Sequence, residues 1–279
     1  MRKSKYIILL LFVLLFRAKA QSPYYAGGRA NSLADASLGL TDVWAVHNNP
    51  SQLAWLQNAG AGVWAERKFN LKELTNGAFT AALPLQKGKA GTLGGGLYIF
   101  GASPYFQQQK YTLAYGLKLN RQVSAGVGFH ALHTRIAEPY GRLTVAIGDI
   151  SVLYKLNSQT DVSLLVWNVS PPRFSIYQNE RLPQIVRFGA NHRLSQHITI
   201  VAEAAHEIKQ KTSVKLGLEY KPNDKIELQA GFRTQAVAYT FGAGFYHKNV
   251  KIHLGFGVYG ILGSTPNITL QYGRPETGL

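Results

Sequence analysis

The chain of 279 residues contains no cysteine. Disulfide frameworks, thiolate metal sites and cysteine nucleophiles are therefore excluded, and so is the cysteine that carries the anchor of a lipoprotein. Charged residues are scarce, at 16% against about 25% in an average soluble protein. Because 46% of the residues are hydrophobic and 28 are glycines, the composition is too apolar for a disordered chain.

Long apolar runs are absent after the N-terminal segment. From residue 21 onward Gly, Lys, Arg, Gln or Asn recurs every few positions, so no stretch approaches the roughly 18 to 20 apolar residues of a membrane-spanning helix. This excludes a helical membrane protein.

The N-terminus has the pattern of an export signal. A basic start is followed by an apolar run over residues 6–16 and by Ala18-Lys19-Ala20, which ends in the small-x-small sequence that signal peptidase reads. The alternative, a membrane anchor, is disfavoured because the apolar run is too short to cross the hydrocarbon layer. We expect residues 1–20 to be a signal peptide, so that the protein is exported toward the bacterial outer membrane.

The charge balance is basic. The formal net charge is +16, and without the five basic residues of the leader 25 basic and 14 acidic residues remain, which is +11. The basic residues are scattered singly in an exported chain, which argues against a nucleic-acid partner and favours contact with anionic lipid or lipopolysaccharide.

From Ala59 onward, apolar or aromatic residues occupy every second position, which is the period of a strand with two different faces. Six short turns and seven other connections divide this region into fourteen strands. The short turns are predicted at residues 86–89, 120–122, 157–159, 195–196, 222–224 and 247–249. The other connections are predicted at residues 70–73, 102–109, 135–142, 170–183, 208–212, 235–237 and 262–267.

This layout predicts an all-β fold, a fourteen-stranded antiparallel transmembrane β-barrel over residues 59–279. A soluble β-sandwich also has alternating strands. However, the residues that alternate with the apolar ones are chiefly Gly, Ala and Ser, which is unlike the polar face of a soluble sheet. Aromatic residues also concentrate near strand ends, as in the aromatic girdles of membrane proteins. One segment resists the pattern: around Gly148-Asp149 the apolar phase switches, which predicts a β-bulge.

Residues 21–58 lack strand alternation and predict turns and short helices, with Asn49-Pro50 as a helix start. Their Trp and Leu side chains need a place to be buried. We expect the segment to plug the barrel lumen; a cap on the periplasmic side is the alternative. The predicted lumen positions are unusually small and leave room for a plug: Gly126, Gly128, Gly217, Gly231, Gly242, Gly244, Gly255 and Gly257.

Alternation also directs a set of charged residues inward, since each would cost about 2 to 4 kcal/mol near the middle of the lipid face. Two interpretations stay open: these charges pair with each other or with Asp35 and Asp42 and so pin the plug, or they merely hydrate the lumen. The set comprises Lys118, Arg187, Lys215, Glu219, Glu227, Arg233 and Lys251.

Signals for catalysis or metal binding are weak. The eight histidines show no HExxH spacing, and the serines show no Gly-x-Ser-x-Gly elbow. The run Gly94-Gly95-Gly96 lacks the lysine and the helix of a phosphate loop, so it suits strand bending. We therefore expect no enzyme activity, no cofactor and no metal.

The order of several short stretches resembles the N-terminal hatch of FadL-like outer-membrane proteins, and most of all the PorV/PorQ family of Bacteroidota. Further stretches at residues 182–189 and 217–244 agree, so the resemblance covers the whole chain after the leader. The sequence departs from the family at Ser51, where the family has alanine, and in its C-terminal residues. The stretches are Gly28-Arg29-Ala30, Asp35-Ala36-Ser37, Asp42-Val43-Trp44-Ala45 and Asn49-Pro50-Ser51-Gln52-Leu53-Ala54.

The resemblance implies a plug whose key residues are Arg29, Asp42, Trp44, Asn48, Asn49 and Pro50. It also implies one of two functions. PorV-type members serve type IX secretion by engaging translocon or cargo proteins, and we expect this role because the outer loops are short. FadL-type members, the alternative, pass hydrophobic molecules through the membrane. Phe174, Ile176 and Tyr177, in the loop over residues 170–183, offer an apolar surface for a protein partner.

Overall fold

A computed structural model describes residues 24–101, 105–138, 141–172, 182–208 and 210–273. The expected signal peptide, residues 1–20, and the predicted contact residues Phe174, Ile176 and Tyr177 lie outside the described residues.

The predicted fourteen-stranded barrel is confirmed. Each strand pairs with its neighbour in the chain in antiparallel orientation, and the first strand pairs with the last, from Gly60 opposite Gly273 to Glu66 opposite Asn267, so the sheet is closed. The strands are β1 (Gly60–Arg67), β2 (Thr75–Pro84), β3 (Thr92–Phe100), β4 (Phe106–Lys118), β5 (Val123–Ile136), β6 (Arg142–Lys155), β7 (Thr160–Trp167), β8 (Ile185–Arg193), β9 (Ile198–Glu207), β10 (Ser213–Asn223), β11 (Ile226–Arg233), β12 (Ala238–His247), β13 (Val250–Val258) and β14 (Ser264–Gly273).

The two ends of the barrel differ in their connections. Five turns of two to four residues, a seven-residue connection at residues 85–91, the start of β1 and the end of β14 lie at one end, called here the inner end. The other seven connections, of which residues 168–184 are the longest, lie at the opposite, outer end. Outer-membrane barrels place their short turns in the periplasm and their longer loops outside the cell.

The two faces of each strand differ as the alternation predicts. Outward side chains such as Phe129, Leu254 and Leu270 are half exposed and apolar, and they form a belt around the barrel. Inward side chains of the same strands, such as Lys251 and His253, are buried. This apolar outside with a polar inside is the arrangement of a barrel that spans a membrane.

A charge on the belt should therefore destabilise the protein. Leu254 lies midway along β13 on the outward face and is 56% exposed, so we expect Leu254→Arg to cost about 2 to 4 kcal/mol in unfolding free energy in lipid vesicles. Ile261→Arg is the matched control, because Ile261 lies in the connection after β13 and is fully exposed. Equal stability of the two variants in a urea titration would contradict a lipid-facing belt.

The predicted bulge at Gly148-Asp149 is wrong. The ladder between β5 and β6 runs without a shift from Val123 opposite Tyr154 to Arg135 opposite Arg142. Inward residues alternate throughout β6, but their chemistry changes from apolar Val145 and Ile147 to polar Asp149 and Ser151. The sequence pattern switched because the inside of the barrel changes character halfway along the strand. A register shift occurs instead between Tyr220 and Asn223 in the ladder of β10 with β11.

The last predicted connection also lies elsewhere. The prediction placed it at residues 262–267, whereas β14 already begins at Ser264 and the loop spans residues 259–263. Pro266 suggested a break, yet it forms part of β14 opposite Phe256. On the other side of β14 the pairing with β1 stops at Asn267, so Pro266 lies where the sheet has one neighbour and its missing N–H is tolerated.

Residues 24–59 fold inside the barrel as a plug. They contain three one-turn helices, α1 (Gly28–Ser32), α2 (Ala45–Asn48) and α3 (Pro50–Leu53). Helix α1 packs on β11 to β14, whereas α2 and α3 pack on the opposite side, α2 on β2 to β4 and α3 on β3 to β6. In the described residues, no helix is long and apolar enough to cross a membrane.

Candidate functional site

The plug and the barrel wall touch through glycines. A Cβ atom at Gly126 would collide with Pro50 and Ser51 of α3, and one at Gly217 would lie 2.8 Å from the side chain of Leu33. Gly231, Gly242 and Gly255 face the plug at similarly short range. Glycine is therefore required at these wall positions by the close approach of the plug, whose backbone fills the space that side chains would take.

Gly126→Val should push α3 away from the wall. Overpacking of this kind costs about 1 to 3 kcal/mol, and we expect a matching loss of unfolding free energy together with an increased ion conductance of the barrel. Gly148→Val is the matched control, because Gly148 lies on the next strand with its nearest neighbouring atom 3.5 Å from a Cβ position. If both variants behaved like the original protein, the packing of α3 on the wall would not limit conductance.

Asparagine and aspartate side chains hold the plug in its own shape. Asn49 caps α3 by accepting hydrogen bonds from the backbone N–H and the hydroxyl of Ser51, and Pro50 follows at the first helical position, as the sequence predicts. Asn48 exchanges two hydrogen bonds with the backbone of Ala26. Asp42 accepts a bond from the N–H of Trp44, whose indole is buried.

Glu203 is the centre of a buried polar network. Its carboxylate accepts 2.8 Å bonds from Arg187 and from Lys215, both on neighbouring strands. It also accepts bonds from the backbone N–H groups of Ser37 and Leu38 in the plug. All three charged side chains are almost fully buried. The network therefore joins β8, β9 and β10 to one stretch of the plug.

The cations of this network bind the plug directly as well. Arg187 donates to the carbonyl of Asn48 at 2.9 Å and to the hydroxyl of Ser37 at 2.8 Å. Lys215 donates to the hydroxyl of Tyr25 and to the carbonyl of Asp35. Each wall cation is thus satisfied only while the plug is in place.

Two further ion pairs tie the plug to the wall. Arg29 of α1 donates two bonds to the buried carboxylate of Glu219, at 2.7 and 2.8 Å, and lies 3.4 Å from Asp42. Asp35 accepts a 2.5 Å bond from Arg233 near the outer end. The bidentate hydrogen bonding of the Arg29 guanidinium to the Glu219 carboxylate is a stronger geometry than a single hydrogen bond.

A strained turn accompanies the second pair. Ala34 and Asp35 both have left-handed backbone angles, with φ of 57° and 63°, which cost about 1 to 2 kcal/mol for each such residue. The wall holds this turn, because Thr240 accepts a bond from the N–H of Ala34 and Arg233 binds the Asp35 side chain. Of the remaining predicted wall charges, Lys251 and Glu227 pair with each other.

His47 of the plug is buried and electrically neutral. Burial, reinforced by the nearby ammonium of Lys110, lowers the pKa of His47 to about 3. Its Nε2 atom lies 3.1 Å from the carbonyl oxygen of Phe79, so Nε2 carries the proton and donates. Among the described residues, no group of three His, Asp or Glu side chains could hold a metal ion.

Near the outer end the lumen turns apolar. Tyr24, the first described residue, packs against this region, with its ring centroid 6.0 Å from that of Trp167 and its hydroxyl bonded to Gln108. Only a small cavity of about 10 Å³ adjoins Tyr24, Lys110 and Arg187, enough for a single water. We name the region the outer apolar cluster; it comprises Leu38 of the plug together with Leu132, Val145, Ile147, Leu165, Trp167, Leu182, Ile185 and Ala205.

The wall beside the outer apolar cluster is incompletely paired. The ladder between β6 and β7 begins only at Asp149 opposite Trp167, whereas β6 starts at Arg142. Residues 142–148 therefore have β5 as their one strand partner among the described residues. A backbone bond from the N–H of Val169 to Gly148 extends the contact by one residue. Within the described part of the chain, the hydrogen-bonded wall thus has a gap next to Val145 and Ile147.

At the inner end the plug and wall enclose a polar cavity of about 200 Å³, lined by Arg29, Asp42 and Lys155 among others. Lys118 is exposed at this inner end, and its ammonium lies 4.3 Å from the ring centroid of Trp55 in the plug. Among the predicted inward charges, Lys118 is the one whose side chain is exposed at the inner opening of the barrel; the others lie inside the lumen.

Glu66, Lys110, Asp149 and Glu203 are buried charges of the wall that sequence reasoning missed. Both faces of β9 carry apolar side chains around Glu203, such as Ile200 and Val201. The alternation of apolar residues therefore did not show which face of β9 points into the lumen. Lys110 follows a run of glutamines that was assigned to a loop, whereas β4 begins at Phe106. The sequence did contain a usable signal for these residues, because a charged side chain in the middle of a strand is costly on the lipid face and is therefore expected to point inward.

Comparisons with known proteins bear on the fold. No known protein family matches the sequence, and no curated protein matches it. The toluene transporter TbuX of Ralstonia pickettii is 9% identical, with a TM-score of 0.67 over 91% of this chain and 99% of TbuX. A FadL homologue of Pseudomonas aeruginosa is 10% identical, with a TM-score of 0.66 over 91% of this chain and 99% of the homologue.

The toluene transporter TodX of Pseudomonas putida is similar as well, at 11% identity and a TM-score of 0.60 over 83% of this chain and 93% of TodX. At such low identities the likeness is one of fold. The chain shares the barrel fold of these two toluene transporters and of the FadL homologue.

Proposed function

We propose that this protein is an outer-membrane conduit for small hydrophobic molecules, closed in the present conformation by its plug. The observation that carries the proposal is the outer apolar cluster, an apolar region of the lumen on the outer side of a charged and plugged interior. The other apolar clusters of the lumen consist mostly of plug residues such as Trp44 and Leu53, whereas the outer apolar cluster is built mainly from residues of the wall and its connections. The toluene transporters named above share the fold and support the same class of ligand.

The proposed route begins at the gap beside residues 142–148 of β6. A molecule in the outer leaflet would meet Val145 and Ile147 there without crossing a hydrogen-bonded ladder. Tyr24 fills the space next to the cluster, and the cavity beside it holds no more than a water. The ring of Tyr24 must therefore move before a molecule as large as toluene can bind.

The interpretation as a type IX secretion accessory, and with it the PorV/PorQ likeness and a Bacteroidota origin, stays a prediction. The compared structures named above are transporters or FadL-like barrels, and they favour the alternative function instead. The three proposed contact residues Phe174, Ile176 and Tyr177 lie outside the described residues. The proposal of an outer-membrane location with lipid contact is common to both functions.

Uptake of radiolabelled toluene by cells with and without the protein tests the proposal. We expect faster uptake with the protein, and several-fold slower uptake for Ile147→Asn, which puts an amide into the outer apolar cluster. Ala146→Asn is the matched control, because Ala146 is the neighbouring residue on the outward face. Normal uptake in a deletion strain that retains secreted cargo in its periplasm would favour the secretion role instead.

A further inference from the structure

The outer parts of β4, β5 and β6 form a polar patch on the outward face. Their register places Gln107 beside Arg135 and Arg135 beside Arg142, so the three side chains form one row across the strands. The next row contains His133 and Thr144, which share a 2.8 Å hydrogen bond. Below these rows the outward face becomes apolar.

The two arginines are directly opposite each other without a compensating acid. Both are exposed, and neither has an acidic side chain within 4.0 Å among the described residues. Glu138 is the nearest acidic residue in the sequence and makes no ion pair with them. Like charges in directly opposed positions destabilise a sheet, so this pair calls for an anionic partner from outside the chain.

The height of the pair fits the outer surface of a membrane. Arg135 lies twelve residues beyond Val123, at the inner end of β5. At about 3.3 Å per residue and a strand tilt of about 40°, this is roughly 30 Å along the membrane normal. The apolar band of such barrels is about 25 Å tall. Arg135 and Arg142 therefore lie just above the hydrocarbon, at the level of lipid phosphate groups.

We propose that Arg135 and Arg142 form a binding site for the phosphate groups of the glycolipid in the outer leaflet. Guanidinium groups bind phosphate through paired, charge-assisted hydrogen bonds. Gln107, His133 and Thr144 add polar groups around the pair. The inference rests on the proposed outer-membrane location but not on transport, because the site lies on the outside of the wall.

The site would anchor the part of the wall that pairing leaves weakest. Residues 142–148 of β6 have no strand partner on the side facing β7 among the described residues. A glycolipid bound to Arg135 and Arg142 would hold the outer end of the β5–β6 hairpin from its outward face.

Binding of purified protein to lipid A tests the inference, with bisphosphorylated lipid A and the same lipid without phosphates as the two probes. We expect native mass spectrometry to show at least about tenfold tighter binding of the phosphorylated lipid, as two charge-assisted contacts imply. We expect R135Q/R142Q to lose this preference and R135K/R142K to keep most of it. Equal binding of both lipids by the original protein would overturn the proposal, whatever the variants do.

The matched control is K225Q/K248Q, which removes two exposed charges from turns at the inner end. It should bind the phosphorylated lipid as the original protein does; an equal loss would show general attraction to a basic protein and overturn the proposal. Fractionation of cells and the heat-dependent gel shift report separately on outer-membrane location and folding. A protein that folds but is found outside the outer membrane would refute the proposed function, whereas the lipid A binding of the purified protein in detergent would be unaffected.

Discussion

Deletion of residues 24–58 should convert the closed barrel into an open pore. The deleted residues fill the lumen between opposite walls, from α1 on β11 to β14 to α3 on β3 to β6. The wall does not need them for closure, because β1 and β14 pair directly over seven residue pairs. We expect single-channel conductance in planar bilayers to rise from near zero to the value of an unobstructed barrel.

The barrel of this deletion variant should still form. The wall ion pairs Arg187 with Glu203 and Lys251 with Glu227 remain intact, and water replaces the plug around them. The heat-dependent gel shift of the variant checks that the barrel is closed. Conductance equal to that of the full chain, with the gel shift preserved, would mean that the segment does not obstruct the lumen.

Glu203→Gln should loosen the plug without removing any of it. The variant keeps the shape of the side chain but leaves the buried cations Arg187 and Lys215 without a carboxylate. Removing one partner of a buried ion pair costs about 3 to 5 kcal/mol, so we expect a loss of unfolding free energy of that size. The backbone N–H groups of Ser37 and Leu38 bind the same carboxylate, so the plug should also detach from the wall more often. Bilayer recordings would detect each detachment as a burst of channel openings.

Asp224→Asn is the control for this experiment, since Asp224 is an exposed acid in an inner-end turn. It should change the unfolding free energy by less than about 0.5 kcal/mol. Glu203→Asp keeps the charge but shortens the reach, and we expect an intermediate effect. If Glu203→Gln and Asp224→Asn unfolded at the same urea concentration, the network around Glu203 would not hold the plug.

Much of this protein can be predicted from its sequence. The period of two, with turns at regular intervals, predicts fourteen strands, because side chains on a strand alternate between faces and lipid accepts only apolar ones. The small inward residues, such as Gly126 and Gly217, indicate that something other than side chains fills the lumen. Asn49 followed by Pro50 predicts the start of α3 from local backbone chemistry alone.

What the sequence could not decide is the chemistry of the inner face. The lumen contains folded chain and not bulk water, so an inward residue is apolar near Trp167 and charged near Glu203, depending on what the plug presents to it. For this reason a continuous strand looked bulged at Gly148, and Glu203 was missed between apolar neighbours. Local patterning determines the strands and their number. The contacts that Arg187, Glu203 and Arg29 make between plug and wall join residues more than a hundred positions apart, which only the closed tertiary structure brings together.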